Sequence, residues 1–186
     1  NAYSELVFDG QSCGSFLSIP GAMEVGVEFN SLSKTYGLAG ARIGFCVGNK
    51  EVVGMLKTLK SNMDYGMFLP IQAAAVEALT GDQAVVAETR AAYEHRRDVL
   101  CDGLIEAGWH MEKPAGTMFV WAPIPSSYQD SEAFVADLLD KTGVLVTPGS
   151  AFGPSGEGYV RMALVQSEDT MKKIVEAVAA SGIFGK

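Results

Sequence analysis

Residues 84 to 107 form one stretch of helical periodicity, with Val85, Ala92, Val99 and Leu104 recurring along it and Gly108 ending it. At about 1.5 Å per residue, a helix of this length reaches from one domain to another. It also divides two kinds of sequence. Before it, "GVEF" (26 to 29) and "RIGFCVG" (42 to 48) are β-branched and aromatic runs bounded by glycine, which predicts two short strands. Asn49 then caps a helix whose Val52, Val53, Leu56, Leu59 and Met63 share a face. Pro70 opens a second helix that Gly81 closes. After the long helix the pattern alternates. "TMFVWAPI" (117 to 124), "VLVTPG" (144 to 149) and "YVRMALV" (159 to 165) predict strands. Ser131 caps a helix ending at Gly143. Ser167 starts another, with Glu168 and Asp169 in its positive first turn and Met171, Ile174, Val175 and Val178 on the buried face. The expected organisation is the end of one domain over 1–97, including the start of the bridging helix, and a compact α+β domain over 98–186.

Charge and cysteine content narrow the partners. Fourteen basic against twenty-two acidic residues leave a net charge of −8, which opposes nucleic acid and anionic membranes as ligands. No apolar run approaches a membrane span and nothing resembles a signal peptide. Cys13, Cys46 and Cys101 are odd in number and unpaired in spacing, so a reducing cytoplasm is the expected compartment. His95 and His110 stand near no partner at ligand spacing, and no metal site is expected. The chain starts at Asn1 rather than methionine, as a piece of something longer would.

Between the first two predicted strands lies "SLSKTYGLAGARIGF" (31 to 45), where Lys34 and Arg42 flank a bend rich in small residues and Ser31 adds a hydroxyl. Such a bend is either a solvated loop or an anion pocket equipped with an amine. A guanidinium presents a fixed fork to phosphate oxygens, and an amine condenses with an aldehyde. The combination suits a cofactor that carries both an aldehyde and a phosphate.

This stretch resembles the cofactor-lysine motif of the class I and II aminotransferases, the fold-type-I enzymes that use pyridoxal 5'-phosphate (PLP). In that family a serine precedes the lysine by three residues and an arginine follows it by eight, as Ser31, Lys34 and Arg42 do here. "NAYSELVFDG" resembles the segment whose tyrosine donates to the ring oxygen of PLP, which points to Tyr3. "YVRMALV" resembles the strand whose arginine binds the substrate's α-carboxylate, which points to Arg161; an internal salt bridge is the other use for an arginine among apolar strand residues. "PAGTMFVWAPI" and "TPGSAFG" resemble family segments near the substrate, but Met118, Trp121 and Phe152 are expected in the core.

The resemblance covers essentially the whole chain, as the second part of a family member. It implies an α/β fold: the end of the PLP-transferase large domain followed by a C-terminal α+β small domain. It implies a transaminase that moves an amino group between an amino acid and a 2-oxo acid, with Lys34 as the catalytic base, and a homodimer when intact. The family's aspartate on the pyridine nitrogen falls one position before Asn1, so this piece alone is expected to bind PLP poorly and to catalyse little. A PLP-dependent β-lyase shares the same motifs, as does a related synthase, and a non-catalytic PLP-fold sensor module is the reading from a different class.

Overall fold

The computed structural model describes residues 1–185. Contacts group the chain into two units, Asn1–Ala91 and Ala92 onward. In the first, a 3-10 turn at Phe16–Ser18 and the one-turn helix α1 (Ala22–Val25) lead into strand β1 (Val27–Ser31). The one-turn helix α2 (Leu32–Thr35) and a 3-10 turn (Ala39–Ala41) separate β1 from β2 (Gly44–Gly48). The two strands pair antiparallel, with Val27 opposite Gly48 and Ser31 opposite Gly44. Helix α3 (Lys50–Met63) begins as its sequence dictates. Asn49 Oδ1 accepts from the N–H groups of Glu51 and Val52 at 2.9 and 3.1 Å, satisfying two donors that have no partner within the helix. Its amide also donates to Glu24 O at 2.7 Å, tying the end of α1 to the start of α3.

Helix α4 (Leu69–Thr80) carries Pro70 in its first turn, and Gly81 caps it. The expected apolar face of α3 is present but only partly covered: none of its residues is fully buried, Val53 and Leu56 are half-buried, and Val52, Leu59 and Met63 are exposed. Periodicity sets which side of a helix is apolar, not what covers it. Helix α5 (Ala84–Glu106) carries the chain from the first unit into the second. Among the described residues no helix is long and apolar enough to cross a membrane, and no cluster of three or more His, Cys, Asp or Glu is placed to hold a metal ion.

The second unit is built on a three-stranded antiparallel sheet, β3 (Phe119–Pro123), β4 (Thr147–Pro148) and β5 (Tyr159–Ala163), in the order β3-β5-β4. Strand alternation gives it two chemically different faces. Val120, Ala122, Val160 and Met162 are buried with Leu100 and Leu104 of α5, with Phe134 and Leu138 of α6 (Ser131–Thr142), and with Met171 and Val178 of α7 (Glu168–Ala180). Each fully buried Leu, Val or Phe contributes roughly 1.5–3 kcal/mol relative to exposure. Trp109 packs edge-on to Phe134 at 5.3 Å and stacks on Phe184 at 4.8 Å, and its indole N–H donates to Pro123 O at 2.8 Å. The opposite face presents Phe119, Trp121, Tyr159 and Arg161.

Several sequence expectations are corrected here. Asp130, not Ser131, caps α6, its carboxylate accepting from Ala133 N–H at 2.8 Å. Ser131 is the first helical residue and is fully buried. Its N–H and hydroxyl both donate to the Glu157 carboxylate, at 2.7 and 3.1 Å. The stretch 144–149 shrinks from a strand to Thr147–Pro148. Pro148 has no N–H to extend the ladder, and Val144 N–H is already given to Thr142 Oγ1 at 3.1 Å. Of the expected inner face of α7, Met171 and Val178 are buried, whereas Ile174 and Val175 are only partly so.

The Glu157 carboxylate also accepts from Gly158 N–H at 2.7 Å. The Gly158 and Ser131 N–H groups, then the Ser131 hydroxyl, hold its pKa below the usual carboxylate range. A depressed folded pKa stabilises above the unfolded value, and that stabilisation is lost as pH falls through the folded one. Glu157→Gln is therefore expected to lower the urea midpoint near neutrality while differing little from the parent in acid. A deficit of equal size at both pH values refutes the charge-based account.

Candidate functional site

Helix α2 is a single turn fixed by its own alternation of sides. Leu32 and Thr35, three residues apart, are both buried, which directs Ser33 and Lys34 to other sides of the turn. Ser31 caps it: its Oγ accepts from Ser33 N–H at 3.1 Å and lies 2.9 Å from Ser33 Oγ, to which it donates. Ser33 was not assigned a role from the sequence. Its hydroxyl competes for the Ser31 proton, so Ser31 donates to a ligand only by turning away from Ser33. Gly37, at φ 66°, takes the left-handed conformation that lets the chain reverse after α2.

The chain returns through the 3-10 turn to Arg42, which also has a left-handed backbone, at φ 54° and ψ 47°. In a non-glycine residue this costs about 1 kcal/mol. Arg42 Nη1 donates to Ala39 O at 2.9 Å, closing the turn with its own side chain. Because Ser31 pairs with Gly44, the ladder brings Ser31, the Lys34 turn and Arg42 to one end of β1–β2. Lys34 is half-buried, and its amine has no hydrogen bond or ion pair among the described residues. No carboxylate pairs with Arg42 either. Two cations thus lie at one end of a hairpin without a resident counter-ion. An open cavity of about 670 Å³ is lined by Arg42 with Gly40, Lys60, Asp64 and Tyr65, though not by Lys34; Lys60 there is already paired with Asp64.

Tyr3 lies close in sequence to Asn1, whose Oδ1 accepts from Tyr3 N–H at 2.9 Å and whose own nitrogen donates to Phe29 O on β1. Leu6 N–H donates to Tyr3 O at 2.9 Å, and Leu6 and Phe8 are buried. The segment carrying Tyr3 is thereby fastened beside the strand that ends at Ser31. Near Lys34, burial and then the negative charge of Glu5 push the Tyr36 phenol up, so it stays protonated and donates to Gln83 Oε1 at 2.9 Å.

The second unit holds Arg161. It sits mid-strand in β5, opposite Trp121 on one side and Thr147 on the other. The internal salt bridge is not the arrangement found: no carboxylate pairs with Arg161 among the described residues. Its guanidinium carbon lies 4.3 Å from the Phe119 ring centroid and 4.4 Å from that of Phe152. Trp121 meets Phe152 edge-on at 5.6 Å and stacks on Tyr159, also at 5.6 Å. Trp121 and Phe152 are 39% and 48% exposed, so the expectation that they are core residues is wrong, while Met118 is buried as expected. Alternation from buried Val120 places Trp121 on the outer face.

Residues 1–178 match the family described as aminotransferase class I and II. Over 175 residues the chain is 47% identical to the LL-diaminopimelate aminotransferase of Moorella thermoacetica, covering 94% of this chain and 45% of that one. It is 46% identical over 181 residues to the glutamate-pyruvate aminotransferase AlaC of Escherichia coli, covering 96% and 44%. Among solved structures, apo-BacF from Bacillus subtilis superposes with a TM-score of 0.92 at 36% identity, over 100% of this chain and 47% of that one. A probable N-succinyldiaminopimelate aminotransferase from Thermus thermophilus gives 0.89 at 32% identity, over 97% and 48%. The chain spans a little under half the length of the curated relatives it matches.

Proposed function

The chain belongs to the class I and II aminotransferases, and on that premise we propose that the complete protein is a PLP-dependent transaminase exchanging an amino group between an amino acid and a 2-oxo acid. The observation that carries this reading is the pair of cations at one end of β1–β2 that have no acidic partner. A phosphate dianion needs positive charge that no carboxylate already neutralises, and an aldehyde needs an amine free of an ion pair. The residues present therefore fit PLP. Lys34 would hold its aldehyde, Arg42 and Ser31 its phosphate, and Tyr3 its ring oxygen. When bound, PLP supplies the electron-withdrawing ring that stabilises charge at the substrate's Cα.

What this chain's side chains do then follows from their chemistry. The Lys34 amine would take the proton from the substrate Cα as general base and, once protonated, would serve as the general acid that delivers it to the cofactor-side carbon. Arg42 and Ser31 keep the ring from turning, so that Cα is presented to Lys34 at a constant distance. Arg161 receives the α-carboxylate through the paired N–H donors of its fork. Within the same reading, residues 1–97 are the end of the cofactor-holding domain and residues 98–186 are the small domain. The complete protein is a cytoplasmic homodimer that binds neither nucleic acid nor membrane, in keeping with the net charge of −8 that this chain carries.

The test is product analysis on the complete protein with PLP. The relatives' names make LL-diaminopimelate with 2-oxoglutarate, and glutamate with pyruvate, the first pairs to assay. Stoichiometric transfer of the amino group to the oxo acid is expected. Release of ammonia with pyruvate instead makes it a lyase on the same scaffold, and PLP binding without turnover makes it a sensor. Arg161→Lys is expected to raise KM about tenfold or more with a smaller change in kcat, because one ammonium cannot reproduce the paired fork. Steady-state kinetics separate the two parameters.

A further inference from the structure

An arginine offered to a carboxylate has a long, rotatable side chain, and ordering it costs affinity. The structure shows where that ordering comes from. β5 is the central strand, so the Arg161 backbone is fixed by ladders on both sides. Its guanidinium carbon is within 4.4 Å of two ring centroids, one from each flank of the strand. Phe119 comes from β3. Phe152 comes from the 3-10 turn Gly149–Phe152 that follows β4.

Each ring is itself held. Phe119 N–H donates to Thr117 Oγ1 at 3.2 Å, and Thr117 is a β-branched residue kept at φ 72°, a backbone conformation that persists only where surrounding structure imposes it. Phe152 is braced edge-on by Trp121, which stacks in turn on Tyr159. Aromatic faces attract a guanidinium without using its N–H groups. No hydrogen bond or ion pair to those groups occurs among the described residues.

We propose that Phe119 and Phe152 are positioning residues that clamp the Arg161 guanidinium by its π-faces and leave its N–H edge free for the substrate carboxylate. This rests on the reading of Arg161 as the carboxylate receptor. The two rings keep the fork in the orientation that two parallel N–H···O bonds require, and they do so without supplying a competing acceptor. A planar carboxylate gains from this arrangement. A lysine, whose ammonium has no plane to clamp, does not.

The test uses the complete, PLP-loaded protein and two readouts: KM and kcat for an amino-acid donor, and the dissociation constant of propionate as a non-reacting carboxylate probe. Phe152 is half-exposed, so Phe152→Leu endangers the fold least, and Phe152→Tyr restores the ring. Phe152→Leu is expected to raise both KM and the propionate dissociation constant about tenfold, with kcat within about twofold, and Phe152→Tyr to recover most of the loss. Phe119→Leu/Phe152→Leu should lose more. In an Arg161→Ala background the ring substitutions should have no further effect. If Arg161→Ala loses propionate while the folded Leu variants bind it as the parent does, the clamp is refuted and the carboxylate site survives. A ring effect that persists without Arg161 assigns the rings to general packing and also refutes the clamp. Propionate binding unchanged by Arg161→Ala removes the carboxylate reading itself, and the clamp with it.

Discussion

Lys34→Ala in the complete, PLP-loaded protein is expected to lower transamination by at least about 10⁴-fold while leaving the thermal unfolding midpoint nearly unchanged. The two halves of this expectation have separate causes. Lys34 is half-buried and its amine makes no hydrogen bond or ion pair among the described residues, so its removal strands no buried partner. The fold of the turn rests instead on its neighbours, buried Leu32 and Thr35 and the Ser31 cap. The loss of rate combines an absent general base, typically 10² to 10⁴-fold, with the loss of a covalent hold on the cofactor. Added methylamine should recover a small part of the activity by replacing the missing base. Single-turnover kinetics on the reconstituted variant provide the measurement. Full retention of activity would remove Lys34 from the mechanism and the transaminase reading with it.

Lys34 is proposed from the sequence alone because its signal is local: residue types and spacing over "SLSKTYGLAGARIGF" do not depend on how distant parts of the chain meet. Local signals also set Asn49, Gly81, Gly143 and Ser167 as helix caps and Pro70 in a first turn, and the structure reproduces each. Ser131 shows where local reasoning stops. Asp130 and Ser131 are both good caps, and which of them serves is decided by Glu157, which takes the Ser131 N–H and hydroxyl from 26 positions away. Trp121 and Phe152 show it again. Aromatic character reads as core until the register with β5 sets Trp121 opposite Arg161 on the outer face. The largely exposed face of α3 is the converse case, a pattern correctly read as amphipathic whose covering surface no sequence pattern specifies.

The second large effect is on stability, and it comes from a residue with no side chain. Gly149→Ala is expected to destabilise the protein by about 3 kcal/mol, the upper range for forcing atoms into a filled interior. Gly149 is buried at the start of the 3-10 turn that ends in Phe152, and it packs against Gly156 of the following turn, Pro154–Gly156. A Cβ added at Gly149 falls 1.8 Å from Gly156 O and 2.6 Å from Tyr159 O. Both obstacles are backbone atoms, and Tyr159 begins the central strand, so neither moves aside as a flexible side chain would. Relief requires the turn to lift from β5, and that displaces Phe152 from Arg161. The variant should therefore lose carboxylate affinity as well as stability, where Phe152→Leu loses affinity alone. Denaturant midpoints together with propionate binding on the same samples distinguish the two. If Gly149→Ala melts with the parent, the close packing of the two turns is not what holds Phe152 in place.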